Sequence, residues 1–130
     1  MRLLDNCKDF ILVSSGSIIG INIRFIIYNK LEKLNINKNF SILLINILSS
    51  FFLGLLLSIL TNTNFLDYSY ELGLFFSIGL LGSLSTFSTF IYDLYDLVLK
   101  LKFYIAFKSY IISLTLGILS FAVGVLLGMK

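Results

Sequence analysis

Long apolar stretches alternate with short polar ones along the whole chain. Four of these stretches carry little or no charge, and each approaches the roughly 20 helical residues that cross a bilayer. Their apolar positions run continuously instead of alternating, which argues against a membrane barrel and favours helices that satisfy their own backbone in lipid. The pattern therefore predicts one all-α transmembrane domain over 1–130, with spans at about 9–28, 40–60, 72–98 and 104–129.

The composition fits a small integral membrane protein. Of the 130 residues, 58% are hydrophobic and 13% are charged, about half the charged share of a soluble domain. A single soluble core of this size could not cover so much apolar surface, which implies a membrane or a partner. The absence of His and the single Cys disfavour a zinc site and a His-based triad. Hydroxyl groups are abundant, but no base is available to activate one, so we expect no enzyme.

The middle of the third stretch is rich in glycine and hydroxyl residues. Residues 79–90 read GLLGSLSTFSTF. Glycine is a weak helix former, and Ser and Thr compete with the helix for backbone groups. The helix could therefore break near the bilayer midplane and present backbone groups to an ion. The alternative is tight helix packing through small residues, and the stretch alone leaves both possibilities open.

Small residues four positions apart recur in the other spans and indicate helix packing faces. The pairs are Gly16 with Gly20, Ser50 with Gly54, and Gly124 with Gly128. Asn46 is the strongly polar residue of the second span. It could link two helices by hydrogen bonds or line a pore, and its position alone does not decide between these roles.

Three segments resemble the signatures of the Fluc/CrcB family of fluoride ion channels. The run from Gly82 to Phe90 (GSLSTFSTF) is similar to the family's G-x-x-T-T-F-S-T-F signature. The run from Gly16 to Arg24 looks like the first-helix pattern G-G-x-x-G-A-x-x-R. Asn46, with Gly54 eight residues later, resembles the second-helix pattern N-x-x-G-x-F-x-x-G. Together with the length and the four spans, the resemblance covers the whole chain.

The resemblance implies a passive channel in the plasma membrane that exports fluoride and so lowers cytoplasmic fluoride. Family members work as antiparallel dimers, with two pores at the interface and a structural sodium ion at the dimer centre. By resemblance, the backbone carbonyls of Gly82 and Ser85 would bind that sodium. Ser85 stands where the family usually has Thr, but any residue can supply a carbonyl ligand. Ser49 is a second departure, because the family often has Gly there.

The resemblance also implies which residues meet fluoride. Phe87 and Phe90 match the paired phenylalanines of the pore, and Asn46 matches the pore asparagine. A phenyl ring has a positive edge that can meet an anion, and amide and hydroxyl groups can donate hydrogen bonds to it. Without the motif around them, two of the 13 Phe residues would be assigned to ordinary packing. The remaining expected contacts are hydroxyls: Thr86, Ser88, Thr89 and, in the fourth helix, Ser113.

Several charged residues have roles that the sequence leaves open. Arg24 could line an anion vestibule or extend to the lipid headgroups. Asp93 stands where the family often has an acid. Asp96 and Lys100 have the i, i+4 spacing of an ion pair at a solvated helix end.

Two other functions compete with the channel assignment. A small multidrug exporter would need a carboxylate deep in the membrane, and the four spans contain no Asp or Glu within 10–28, 40–60, 72–92 and 109–129. A non-transporting accessory subunit is compatible with the composition, and the TFSTF run is what disfavours it.

Positive charge predicts the orientation of the chain. The loops at 29–39 and 99–108, with Lys108 at the start of the last uncharged stretch, carry six Lys, against three basic residues near the two termini. Because positively charged loops stay cytoplasmic, we expect both loops inside and both termini outside. A chain that inserts both ways should show little bias. We therefore expect a dimer with itself or, in slight preference, with an oppositely oriented homologue.

Overall fold

The chain folds as a bundle of apolar helices. The computed structural model describes residues 2–62, 70–85 and 87–129, with the backbone alone for residues 2–6 and 62. Four helical segments of this described part are long and apolar enough to cross a membrane, which confirms the predicted all-α membrane fold. They extend over Cys7–Lys33, Lys38–Thr61, Tyr70–Leu99 and Phe103–Gly128.

Six helical elements make up these segments. They are α1 (Arg2–Lys33), α2 (Lys38–Asn62), α3 (Gly73–Leu81), α4 (Gly82–Leu84), α5 (Phe87–Leu99) and α6 (Phe103–Gly128). The α1 helix runs past the predicted span at both ends, because its flanking polar residues continue the helix beyond the apolar stretch.

The third segment is built from three of these elements. The α3 element is a π-helix, a form that is rare and frequently found at functional sites. It continues into α4, which ends at Leu84. Ser85 then has an extended backbone, with φ −68° and ψ 152°, and α5 begins at Phe87. The Ser85 hydroxyl donates to the carbonyl oxygen of Gly82 at 3.4 Å, the kind of local bond that competes with a helix.

Two turns of the same type close one end of the bundle. After α1, the Ile36 amide donates to Leu31 O and the Asn35 amide to Glu32 O, with Asn35 at φ 56°. After α5, Lys102 and Leu101 repeat the pattern, with Leu101 at φ 56°. This is the Schellman arrangement that ends helices. It brings the starts of α2 and α6 to the same end of the bundle as the end of α5.

Glycines set two close helix contacts. In the first, α1 packs along α3 and α4, and a Cβ at Gly16 or Gly20 would overlap the backbone carbonyl of Phe75 or Leu80. In the second, α2 packs along α6, and a Cβ at Gly54 or Gly124 would overlap a backbone carbonyl of the facing helix. Hydrogen bonds cross the first contact: Ser17 Oγ donates to Gly79 O and Ser83 Oγ to Ser17 O, at 3.3 and 3.1 Å. The predicted packing faces at these glycines are confirmed.

Candidate functional site

A groove with polar groups in its largely apolar walls runs between α2, α5 and α6. It consists of two adjoining cavities of about 440 and 450 Å³, which share Phe90 and Ser113 in their walls. We call the first the end cavity, because it lies where α2 and α6 begin, and the second the middle cavity. The polar residues of the end cavity are Asn37, Lys38, Asn39, Asp93, Ser109 and Ser113. Those of the middle cavity are Asn46, Ser50, Tyr110 and Ser113.

One face of α6 supplies the long wall of the groove. Ser109, Ser113 and Gly117 follow one another at four-residue spacing, so they share one face of the helix. Ser120, farther along α6, donates a hydrogen bond from Oγ to Ile47 O of α2 at 2.8 Å. This bond and the glycine contact fix α6 against α2, while the small Gly117 leaves room in the middle cavity: the nearest atom to a Cβ placed there is Ser50 Oγ, at 3.8 Å.

The first turn of α5 places the two phenylalanines of the motif in the groove. Phe87 and Phe90 are three residues apart and therefore lie on one face of the helix. Both line the middle cavity, and Phe90 also lines the end cavity. Phe87 is 74% exposed, so the groove is open on this side of the chain.

Asn46 lies across the groove from the phenylalanines. It is half-buried on α2, and Ser50 follows one helical turn later in the same cavity wall. The structure thus brings four of the sequence-predicted residues into the middle cavity: Asn46, Phe87, Phe90 and Ser113.

The other predicted hydroxyls lie elsewhere. Thr89 lines a separate cavity of about 250 Å³ between α1, α2 and α5, which we call the α1 cavity. Arg24 lines the same cavity, with Lys38 and Tyr28. Ser88 is exposed and lines none of these three cavities. Thr86 lies outside the described residues.

Gly82 and Ser85 lie on either side of the end of α4. A helix end leaves its last carbonyl groups without N–H partners from a following turn, and such carbonyls suit a sodium ion. Among residues 2–62, 70–85 and 87–129, no cluster of His, Cys, Asp and Glu could hold a metal ion. A sodium site in this region would therefore need backbone or hydroxyl oxygens; Gly82 offers its backbone carbonyl, and Ser85 offers a carbonyl and a hydroxyl.

Ion pairs cluster at the end of the bundle where the groove opens. Lys38 Nζ lies 3.3 Å from Asp93 Oδ1 and 5.6 Å from the centre of the Tyr92 ring. Asp96 and Lys100 form the predicted i, i+4 pair at 2.6 Å, and the hydrogen bond that Lys100 donates to the Asp96 carboxylate raises the pKa of Lys100. The groove opens among these fixed charges.

Sequence reasoning missed several polar residues of the site, among them Tyr110 and Lys38. Tyr110 lines the middle cavity, and Lys38 lines both the end cavity and the α1 cavity. Tyr110 lies three residues before Ser113, so the helical spacing could have revealed it. The position of Lys38 depends on how α2 begins beside α5, which no local pattern indicates.

Comparison with known proteins identifies the family. Residues 11–125 match the family model described as CrcB-like protein, Camphor Resistance (CrcB). The chain is also 54% identical over 121 residues to a protein of Prochlorococcus marinus (strain NATL2A) named Fluoride-specific ion channel FluC 2. The alignment covers 93% of this chain and 98% of that relative. The four membrane helices, the glycine-closed contacts and the groove are thus the architecture of a multi-pass membrane protein that belongs to the CrcB family.

Proposed function

We propose that this chain is a fluoride-specific ion channel of the plasma membrane, which lets fluoride leave the cytoplasm passively. The observation that carries the proposal is the identity of 54% along nearly the whole chain to a relative named for this activity. The groove adds chemical support, because three residues selected from the motifs, Asn46, Phe87 and Phe90, line one cavity together with Ser113. A channel of this kind carries out no catalysis.

The groove offers fluoride polar contacts that replace the water molecules the ion loses on entering it. Fluoride is small and strongly hydrated, so each step needs a donor or a positive edge. The Asn46 amide and the hydroxyls of Ser50, Tyr110 and Ser113 can donate hydrogen bonds. The rings of Phe87 and Phe90 can turn positive edges to the ion. A row of modest sites lets an ion leave as well as enter.

An open groove favours a dimer. A single chain leaves Phe87 largely exposed, and a partly dehydrated anion needs walls on every side. A second subunit packed against this face would close the groove. An antiparallel arrangement would give two equivalent pores at the interface and would bring the two α4 ends towards one centre. A sodium ion bound there by carbonyls of Gly82 and Ser85 would hold the subunits together.

The remaining predicted residues serve in supporting roles. Thr89 and Arg24 share the α1 cavity, where Arg24 would form an anion vestibule. Thr86 and Ser88 flank Phe87 in sequence, and we assign them to the ion path at the dimer interface.

The distribution of positive charge supports a fixed orientation. Six Lys residues lie in or beside the two loops at the end of the bundle where the groove opens, against three basic residues near the termini. We therefore place loops 29–39 and 99–108 in the cytoplasm and both termini outside. Such a bias favours pairing with an oppositely oriented homologue over pairing with a second copy. A reporter fused after Lys130 should signal only outside, and equal signals on both sides would contradict this orientation.

Fluoride efflux from liposomes tests the function. The full chain, alone and co-produced with a homologue of opposite charge bias, is reconstituted into vesicles loaded with fluoride or with chloride. We expect rapid fluoride release and no chloride release. Release by the chain alone would contradict an obligate partner. Fluoride release from neither preparation would contradict the channel assignment.

A further inference from the structure

Lys38 borders two cavities at once. It is the first residue of α2, and its side chain lines the end cavity of the groove and also the α1 cavity that holds Arg24. Its ammonium group lies between Asp93, at 3.3 Å, and the ring of Tyr92, at 5.6 Å. Both partners belong to α5, the helix that carries Phe87 and Phe90. A cation therefore stands at the opening of the groove, held by the helix that supplies the two rings.

The two charges of this pair differ in how far they reach the water of the cavity. The Asp93 side chain is 14% exposed, whereas that of Lys38 is 48% exposed. Both residues line the end cavity, but the Lys38 side chain is the more exposed of the two, so protein covers its charge less than it covers that of Asp93.

We propose that Lys38 attracts anions into the groove and that Asp93 limits this attraction, so that the pair sets the rate of fluoride entry from this end. A charged group at the mouth of a cleft raises the local concentration of the opposite ion, a neighbouring group of the other sign reduces that gain, and salt weakens both effects. Arg24 adds positive charge on the α1 side of Lys38 and does not line the groove. The inference rests on the proposed channel function.

Two neutralising variants with opposite expected signs test the proposal. In liposomes at low ionic strength, Lys38→Gln should lower the initial rate of fluoride efflux about twofold. Asp93→Asn should raise it about twofold. One unit charge at about 10 Å in water changes the local concentration of a univalent anion about twofold, which gives the expected sizes. Both differences should shrink when an impermeant salt is added to about 0.5 M. Lys30→Gln is the matched control, because Lys30 is exposed and lines none of the three cavities.

The opposite signs separate this role from a purely structural one. If the ion pair served only to tie α2 to α5, both variants would lower the rate or leave it unchanged, and either result would overturn the proposal. Lys38→Arg, which keeps the charge, should conduct like the wild type. If Lys38→Gln failed to fold, Asp93→Asn would still have to raise the rate. If neither the wild-type chain alone nor the chain co-produced with the homologue released fluoride, that result would instead refute the channel function itself, and with it this inference.

Discussion

Two regions of the molecule use the same residue types with opposite results. One is the contact of α1 with α3 and α4, and the other is the groove between α2, α5 and α6. Gly16, Gly20, Ser17 and Ser83 bring two backbones so close that Ser hydroxyls bond carbonyls across the contact. In the groove, glycine and serine on α6 face a cavity instead. Large aromatic side chains, Phe90 and Tyr110, line this cavity together with Gly117, whereas backbone carbonyls meet the glycines of the first contact. Small residues therefore mark either a packing face or a site, according to what stands opposite.

The largest effect on fluoride flux is expected from replacing Asn46, with Asn22 as the comparison. Asn46→Ala should lower fluoride flux about ten- to a hundredfold, because a hydrogen bond to a charged group contributes about 1.5–3 kcal/mol. Asn22→Ala is the matched control. Its amide donates to Ile18 O on its own helix at 2.7 Å, and the side chain is exposed. We expect its efflux in liposomes to equal the wild type. If Asn46→Ala conducted as well as Asn22→Ala and the wild type, Asn46 would have only a structural role.

The same change at two glycines should affect stability in one region and not in the other. Gly20→Ala places a methyl group against Leu80 O and Ser83 Oγ, so it should destabilise the fold by about 1–3 kcal/mol. Gly117→Ala meets its nearest atom at 3.8 Å and should leave the stability unchanged. Thermal unfolding in detergent measures both. A lower midpoint for Gly117→Ala than for Gly20→Ala would invert the comparison between the two regions.

Replacing the rings should weaken conduction without unfolding the protein. Phe87→Ile and Phe90→Ile remove the positive ring edges, and each should lower fluoride flux about three- to tenfold, in line with the roughly 0.5–1.5 kcal/mol of an aromatic contact. Phe76→Ile on α3 is a control, because Phe76 lines neither cavity of the groove and is 39% exposed. Wild-type flux in both groove variants would show that these phenylalanines only pack.

The smallest expected effect distinguishes two serines on α6. Ser113→Ala removes a hydroxyl from both cavities of the groove and should lower flux by about two- to fivefold with unchanged stability. Ser120→Ala removes the bond to Ile47 O and should lower stability by about 1 kcal/mol with little change in flux. Fluoride efflux and thermal unfolding are measured on both variants. We expect Ser113→Ala to change only the flux and Ser120→Ala to change mainly the stability. A uniform loss of stability in both would contradict it.

The sequence predicted the number of spans and the glycine packing faces, because these depend on local hydropathy and on the spacing of small residues. It also selected Asn46, Phe87, Phe90 and Ser113, which meet in the middle cavity. The sequence could not show which hydroxyls of the motif line the groove and which lie elsewhere. Their directions depend on where α5 begins, and that is set by the extended backbone at Ser85. Thr89 does not line the groove with Phe87 and Phe90, and instead lines the α1 cavity with Arg24.

The interruption at Ser85 also constrains how the third span enters the membrane during synthesis. The α5 helix has 13 residues and is about 20 Å long, and the helical part before Ser85 is similarly short, so neither half alone crosses a hydrocarbon core of about 30 Å. Inside a bilayer, backbone groups at a helix interruption are tolerated where protein buries them or where they line a water-filled cavity. The α1 and α2 helices, which contact α4, leave the ribosome first and can bury such groups. We expect membrane insertion of the third span to depend on the helices made before it.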